Sequence, residues 1–380
     1  MRISFIYSMV FVPMLALAST TGPLAPKSPA YPIGYIAIDD ATASPWDISL
    51  TESNGHLLVT SVGTNPVKKN GRIWEASPSD SKFREVSIRS EETQDYYALS
   101  SHVYDPSSKR MYVCSNEEVR SGNLKRASEI IYPSVVVFEL SSDGDFVWVG
   151  STNFIDKPGQ HCGGVTIVNG IIFATNQYAT DTSYPALYAA DISSGTIPAT
   201  MSVVQSYSDL GYGDKETVAN HDLVTSARAK YTQGEGTWSI YLLDSGRTRI
   251  LGMSFSKQKE PDSIKRSGDI DQLILPSEIK VPIALYNYND DRFFLSADIV
   301  NIYFIGRNEK GDPEIFWKAQ APSLVTGLAV VSEEESQDNK ASRMIFTASP
   351  VLVEGEYRIS KFPFPVHTQT QYKTKFSRSR

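Results

Sequence analysis

Six short segments of this chain carry one pattern, a run of large apolar or aromatic residues that ends in small hydroxyl-bearing or polar ones. They are Leu57-Leu58-Val59-Thr60-Ser61, Met111-Tyr112-Val113-Cys114-Ser115 and Ile171-Ile172-Phe173-Ala174-Thr175-Asn176 in the first half. The second half adds Ile240-Tyr241-Leu242-Leu243-Asp244, Phe293-Phe294-Leu295-Ser296-Ala297-Asp298 and Met344-Ile345-Phe346-Thr347-Ala348-Ser349. They recur at intervals of roughly 50–70 residues, the length of a four-stranded antiparallel unit with generous loops. Most follow a turn and another apolar strand, as where Val168-Asn169-Gly170 separates Val165-Thr166-Ile167 from Ile171 with the Asn-Gly pair of a tight hairpin. A third strand follows each, for example Arg72-Ile73-Trp74-Glu75, Val135-Val136-Val137-Phe138 and Ile302-Tyr303-Phe304-Ile305.

Long stretches of 3.6-residue apolar periodicity are absent, while two-residue alternation and Val/Ile/Tyr/Phe runs are frequent. The chain is therefore expected to be all-β. One β-sandwich, or two, would account for the composition, but the regular recurrence of one hairpin favours a six-bladed β-propeller. A propeller ring is stable when strands from both ends of the chain complete its last blade and hide the exposed edge. Six inner hairpins are counted, and Gly34-Tyr35-Ile36-Ala37-Ile38 precedes the first. That strand is expected to supply the fourth strand of the sixth blade.

The ends of the chain suggest its boundaries. Arg2, an apolar run from Ile3 to Leu17 interrupted by Pro13, and Ala16-Leu17-Ala18 before Ser19 have the form of a removable signal peptide over residues 1–18. A leader segment over 19–32, the propeller over 33–366 and a polar basic tail over 367–380 complete the expected division. The protein is thus expected to be secreted or to reside in the lumen of the secretory pathway. Its formal net charge of −7 argues against a nucleic-acid or anionic-membrane partner, and a small-molecule substrate is expected instead. Oligomeric state is not legible. Cys114 and Cys162, the two cysteines, would either pair or stand as two buried thiols.

Side chains at the starts of the inner strands converge on the axis of such a ring, the natural place for a pocket. These openings read Ser44-Pro45-Trp46-Asp47, Leu99-Ser100-Ser101-His102, Gln160-His161-Cys162-Gly163, Ala219-Asn220-His221-Asp222, Val281-Pro282-Ile283 and Val325-Thr326-Gly327. Three of the five histidines, His102, His161 and His221, fall in this band, although at different offsets from their strands. With Asp47 and Asp222 they form the candidate catalytic set, either as metal ligands with a carboxylate or as metal-free acid, base and hydrogen-bond groups. The other reading of each histidine is a ring that satisfies backbone groups at a strand start. Trp46, Tyr97, Tyr178, Asn220 and Thr326 are the candidate substrate-binding residues around the same mouth. Asn116, Asn176, Asp244 and Asp298, at the ends of the second strands, are expected near the opposite mouth. No Gly-x-Ser-x-Gly elbow, phosphate-cradling glycine loop, His-Glu-x-x-His or EF-hand loop is present.

Ser101-His102-Val103-Tyr104-Asp105-Pro106 and Gly163-Gly164-Val165-Thr166-Ile167, each followed by a turn and an apolar strand, resemble the blade openings of SMP-30/gluconolactonase-like and strictosidine-synthase-like propellers. The resemblance covers most of Gly34 to Phe364. It implies a divalent cation such as calcium, held by a Glu early in blade one and by Asn and Asp at later openings, and lactone or ester hydrolysis as the activity. This chain departs from that pattern: no Glu precedes Ser44-Pro45, and Cys162-Gly163-Gly164 stands where an Asn would be. A secreted propeller of this kind without the metal site resembles fungal propellers of specialised metabolism, including hetero-Diels–Alderases acting on tropolone-derived and terpene partners. That resemblance implies no cofactor and a metal-independent cyclisation or cycloaddition of a small apolar metabolite. Metal-dependent lactone or ester hydrolysis and non-catalytic ligand binding are the alternatives.

Overall fold

The computed structural model describes residues 29–51, 55–63, 71–89, 98–116, 133–155, 161–177, 185–213, 223–224, 230–232, 237–257, 264–289, 292–332 and 343–365. They form six antiparallel sheets that follow one another along the chain, the arrangement of a six-bladed β-propeller. Blade one is Pro45–Leu50, Leu57–Ser61, Arg72–Ala76 and Arg84–Val86, from axis to rim. Blade two is Ala98–Asp105, Arg110–Asn116, Ser134–Leu140 and Phe146–Asn153, with Ile88–Arg89 added in parallel at the rim. Blade three is Cys162–Val168, Ile171–Asn176, Pro185–Asp191 and Ser202–Ser206.

Blade four has a divided inner edge. Leu223–Val224 and Lys230–Thr232 both pair with Thr237–Asp244, followed by Arg249–Lys257 and Ile264–Ile274. Blade five is Pro282–Asn289, Arg292–Ala297, Asn301–Arg307 and Pro313–Gln320. Blade six takes Gly327–Ser332, Arg343–Ala348 and Tyr357–Pro363 from the end of the chain and Gly34–Ile38 from its beginning. The register Gly34↔Lys361, Ile36↔Ile359 and Ile38↔Tyr357 seals the ring as the sequence led us to expect. Just before that strand, Ala30 bridges Ala319 on the outer strand of blade five, so the N-terminal segment straps two blades.

The apolar runs of the second strands have a simple cause. Each of six buried clusters lies between two adjacent blades, so a blade is covered on both faces. Leu57 and Val59 pack towards blade six, whereas Leu58 between them packs towards blade two. Phe293 and Leu295 face blade four while Phe294 faces blade six. A strand buried on both faces reads as a continuous hydrophobic run rather than an alternating one. The Asn169-Gly170 turn has φ of 48° and 74°, the left-handed pair that a two-residue hairpin needs.

Polar residues at the ends of these runs, or beside the next opening, join one blade to the next. Thr60 donates to the Ser100 carbonyl at 2.5 Å, and Asn116 takes the Cys162 N–H at 2.8 Å while donating to its carbonyl at 2.9 Å. Tyr212, after blade three, donates to Asp244 of blade four at 2.5 Å, and Ser245 donates to the Pro282 carbonyl at 2.8 Å. Ser296 donates to the Val325 carbonyl at 2.9 Å, and Thr326 donates to the Trp46 carbonyl at 2.6 Å. All six joints therefore carry a side-chain hydrogen bond, each contributing on the order of 1 kcal/mol net. The joint between blades two and three also carries the Cys114–Cys162 disulfide, with Cα atoms 5.5 Å apart, which settles the choice between paired and free thiols.

At the seam between blades six and one the two backbones approach closely. A Cβ at Gly327 would lie 2.7 Å from the Asp47 Cα and 2.9 Å from the Ile48 nitrogen, both on the neighbouring blade. Backbone atoms cannot give way as a flexible side chain does, so only glycine fits. Gly327→Ala is expected to destabilise the protein by about 1–3 kcal/mol, the usual cost of overpacking. Chemical denaturation checks this, and an unchanged midpoint would contradict the close approach.

Candidate functional site

Inner strands of five blades wall a cavity of about 460 Å3 on the propeller axis. Its wall runs from Asp47 along Ser49 to Thr51 and Gly55, and along blade two from His102 to Pro106. Val165 and Ile167, Tyr286, and Leu328 to Val331 supply most of the remaining, largely apolar surface. Gly55 and Pro106 lie in the turns between inner and second strands, so the cavity reaches the mouth opposite the strand starts. That differs from the sequence expectation of a pocket at the strand-start mouth. Among the described residues, that level is occupied instead by the hydrogen bonds between blades and by the Gly327–Asp47 contact.

A recurrent irregularity shapes the openings. The inner strands of blades one, two, three and five each shift register near their start, between Pro45/Asp47, Leu99/His102, Cys162/Gly164 and Pro282/Ala284. Such bulges release backbone groups from the ladder and re-aim the side chains beside them. In blade two the released His102 N–H donates to the Asp47 Oδ2 at 2.9 Å, and the Ile48 N–H donates to Oδ1 at 2.8 Å. Along blade one, Ile48 packs on blade six, while Asp47 and Ser49, in the opposite phase of the strand, face blade two.

His102 sits where those two side chains point. Its Nε2 lies 2.7 Å from the Ser49 Oγ, its Nδ1 3.0 Å from the Thr60 Oγ1 and 3.8 Å from the Asp47 Oδ2. The ring has no solvent exposure, and burial pushes its pKa down to about 3, with the Leu58 carbonyl pulling weakly the other way. Burial likewise raises Asp47 to about 6, against the lowering effect of the N–H groups of His102 and Ile48 and the Ser101 hydroxyl. At neutral pH the site thus holds a neutral imidazole beside a buried carboxylate. Thr60 carries one hydroxyl proton, which its 2.5 Å bond commits to the Ser100 carbonyl. Its oxygen then accepts from Nδ1–H, which assigns the proton to that nitrogen and leaves the Nε2 lone pair to accept from Ser49.

The candidates named from sequence fall into three groups. Asp47 and His102 both line the cavity, 3.8 Å apart at their nearest polar atoms. His161 is placed by other partners: its N–H donates to the Asn176 Oδ1 at 3.0 Å, and its buried ring interacts with the Gln177 side chain. Neither it nor Trp46 nor Thr326 lines the cavity. The carbonyl of Trp46 and the hydroxyl of Thr326 bond each other and close the seam between blades six and one. His221, Asp222, Asn220, Tyr97 and Tyr178 lie outside the described residues.

Asn116, Asn176, Asp244 and Asp298 require a correction, because they lie at the strand-start mouth and not opposite it. The register pairs Ala98 with Asn116 and Cys162 with Asn176, as antiparallel hairpins must. Ser49 and Thr60 were missed as site residues. Ser49 had a usable signal in its position two residues beyond Asp47, on the same strand face. Thr60 stood in plain view as a polar strand end, but its partner lies 42 residues away on another blade.

The divalent cation implied by the family resemblance does not fit the residues at the blade openings. Both oxygens of Asp47 accept backbone N–H bonds, and Asn116 is consumed by the Cys162 backbone. Asn176 serves His161 and Pro185, Asp244 serves Tyr212 and Arg249, and Asp298 accepts the N–H groups of Lys280 and Val281. Among the described residues, no three of His, Cys, Asp and Glu converge as metal ligands. No helix among them is long and apolar enough to cross a membrane.

The buried groups make a signed prediction for stability. Unfolded histidine protonates near pH 6.5, whereas folded His102 and His161 resist until about 3 and about 4 because both rings are desolvated. Between those limits the unfolded state binds two more protons, so stability falls as pH falls. Asp47 acts in the opposite sense: folded, it takes a proton near pH 6, and unfolded only near 3.8. The net difference of one proton between pH 6 and 4 lowers stability by roughly 1.4 kcal/mol per pH unit. His161→Asn removes one histidine from the balance and should flatten that slope by one proton, measured by urea denaturation across the range.

Comparison with known proteins adds nothing to the fold read from the sheets. No family model matches the chain, and no curated protein matches its sequence. Among solved structures, Sqt1 of Saccharomyces cerevisiae is similar with a TM-score of 0.46 and 9% identity, over 89% of this chain and 100% of that one. The α-L-arabinofuranosidase Arb93A of Fusarium graminearum, solved with an iminosugar inhibitor, gives 0.48 and 13% identity over 90% of this chain and 99% of its own. An α-L-arabinanase of Penicillium chrysogenum, solved with arabinobiose, gives 0.47 and 13% over 88% and 98%. At such distances nothing about chemistry passes from those proteins to this chain.

Proposed function

We propose that this protein binds a small, mainly apolar molecule in its axial cavity and transforms it there with the Ser49–His102 pair, without a metal. The observation that carries the reading is the position of that pair. A neutral imidazole, fixed on both nitrogens by hydroxyls, backs a serine on the wall of a 460 Å3 cavity. The volume suits a small organic ligand, and the wall sets polar groups such as Ser49, Thr51, His102 and Thr166 beside apolar ones. Ile48, Leu50, Val103, Val165 and Leu328 supply the apolar surface.

Cyclisation or hetero-Diels–Alder addition, the chemistry favoured from sequence, needs a shaped apolar space and a donor that polarises a carbonyl. Ser49, whose single hydroxyl proton goes to His102 Nε2, would have to turn from the ring to be that donor, and confinement would supply the entropic part of the rate gain. Lactone or ester hydrolysis is the second reading, favoured by the tautomer of His102, which aims a base at Ser49. Metal independence is supported by the full occupation of the carboxylate and carboxamide groups at the openings. The Cys114–Cys162 disulfide supports passage through an oxidising, secretory compartment.

Filling the cavity tests the reading. Val103→Trp places a large ring on the wall and should weaken binding of an apolar fluorescent naphthalene probe at least tenfold, with the far-ultraviolet circular dichroism unchanged. Equal binding by the variant would place the ligand elsewhere and overturn the proposal. Turnover of small lactones or esters should survive exhaustive dialysis against a chelator, and loss restored by calcium would remove the metal-free part of it.

A further inference from the structure

We infer that Ser49 is the nucleophile of an acyl-transfer reaction, with His102 as its general base and Thr60 as the residue that positions the base. This rests on the cavity reading above and narrows it to substrates carrying an ester or lactone carbonyl.

Three independent features of the geometry converge on it. First, the Ser49 Oγ and His102 Nε2 are 2.7 Å apart, within reach for direct proton transfer. Second, the tautomer is the one a base needs. The Thr60 proton goes to the Ser100 carbonyl, Nδ1–H donates to Thr60, and Nε2 is left with its lone pair facing Ser49. Third, the pair is built asymmetrically with respect to the cavity. The ring is sealed between blades one and two, whereas the serine stands on the cavity wall where a substrate reaches it. A histidine kept only to join blades would be equally satisfied by a serine turned away from the channel.

Proton transfer creates an imidazolium, which the burial of the ring opposes; the Leu58 carbonyl favours it, and the Asp47 Oδ2, 3.8 Å from Nδ1, is the nearby carboxylate. The arrangement follows the nucleophile, base and orienting-group logic of acyl transfer, with a threonine hydroxyl in direct contact with Nδ1 and the carboxylate one step further back.

The chemistry balances without any added group. The Ser49 oxygen bonds to the carbonyl carbon as its proton moves to His102 Nε2. The bond from that carbon to the alkoxy oxygen then breaks, and the alkoxide takes the proton from Nε2. In a lactone the released alcohol stays tethered to the acyl chain. Water then attacks the acyl-serine, gives one proton to Nε2, and Ser49 leaves with that proton restored. The sum is ester plus water giving acid plus alcohol.

A fluorophosphonate probe tests the assignment on the purified full chain. It should label up to one site per molecule, with the adduct on Ser49 by peptide mass spectrometry. Ser49→Ala should abolish labelling, and since it leaves the buried His102 Nε2 without its hydroxyl partner it should lower the melting temperature modestly while keeping the parent far-ultraviolet circular dichroism. His102→Gln should slow labelling at least a hundredfold. Thr60→Val, which keeps the shape but frees the ring to change tautomer, should slow it about tenfold and alter its pH profile, which a purely structural threonine would not do. Binding of the naphthalene probe is measured beside each. Probe binding without labelling overturns the nucleophile while leaving the cavity reading in place, and loss of both removes the two together. An adduct on any other residue, or labelling that persists in Ser49→Ala, also overturns it.

Discussion

Every blade of this protein is apolar on both faces, and that single constraint governs the rest of its structure. A four-stranded sheet covered on one side only would leave phenylalanines and valines in water. The cost of exposing each such side chain is roughly 1.5–3 kcal/mol. Only a closed ring supplies two neighbours to every sheet. Closure in turn demands that the last blade be finished, and the strand Gly34–Ile38 finishes it by pairing with Tyr357–Pro363. The bridge from Ala30 to blade five extends the same closure outward.

Hydrophobic contact alone does not fix how one blade is rotated against the next, because it is not directional. The buried hydroxyls, carboxamides and carboxylates at the strand ends provide that direction. Each is shielded from water and must find a partner: Thr60, Asn116 and Ser296 find theirs on the adjacent blade's opening, whereas Asn176 and Asp298 tie down the opening of their own blade. Bulges at the starts of the inner strands supply the free backbone groups that make those bonds possible. In Thr60, Asn116 and Ser296 one feature thus serves twice, since polar residues that announce the repeat also orient its members.

The site at Ser49 and His102 grows out of this joint. Asp47 receives the His102 N–H, which draws the histidine of blade two towards blade one and presents its ring to Ser49 and Thr60. A group that orients two blades can also be held rigidly enough for proton transfer, because its rotamer is locked by packing and its tautomer by a committed neighbour. The two uses do not compete. Thr60 holds one ring nitrogen, and the other faces a serine that the cavity can reach.

What the residues determined by themselves was the periodic part: strand runs, hairpin turns such as Asn169-Gly170, the number of blades and the need for an N-terminal closing strand. Those features repeat locally, and burial on both faces writes them into each segment. Of the candidate site, Asp47 and His102 were visible only as polar residues at strand starts, in one set with His161, which meets other partners. What only the tertiary structure decided was which partners they meet. Ser49 and His102 are separated by 53 residues and Thr60 and His102 by 42, so no local period connects them. Their meeting depends on the rotation between blades and on bulges that shift a strand by one residue. That same geometry sent the hydroxyl of Thr326 to a seam and the ring of His161 into its own blade. It also opened the cavity towards the turns instead of the strand starts.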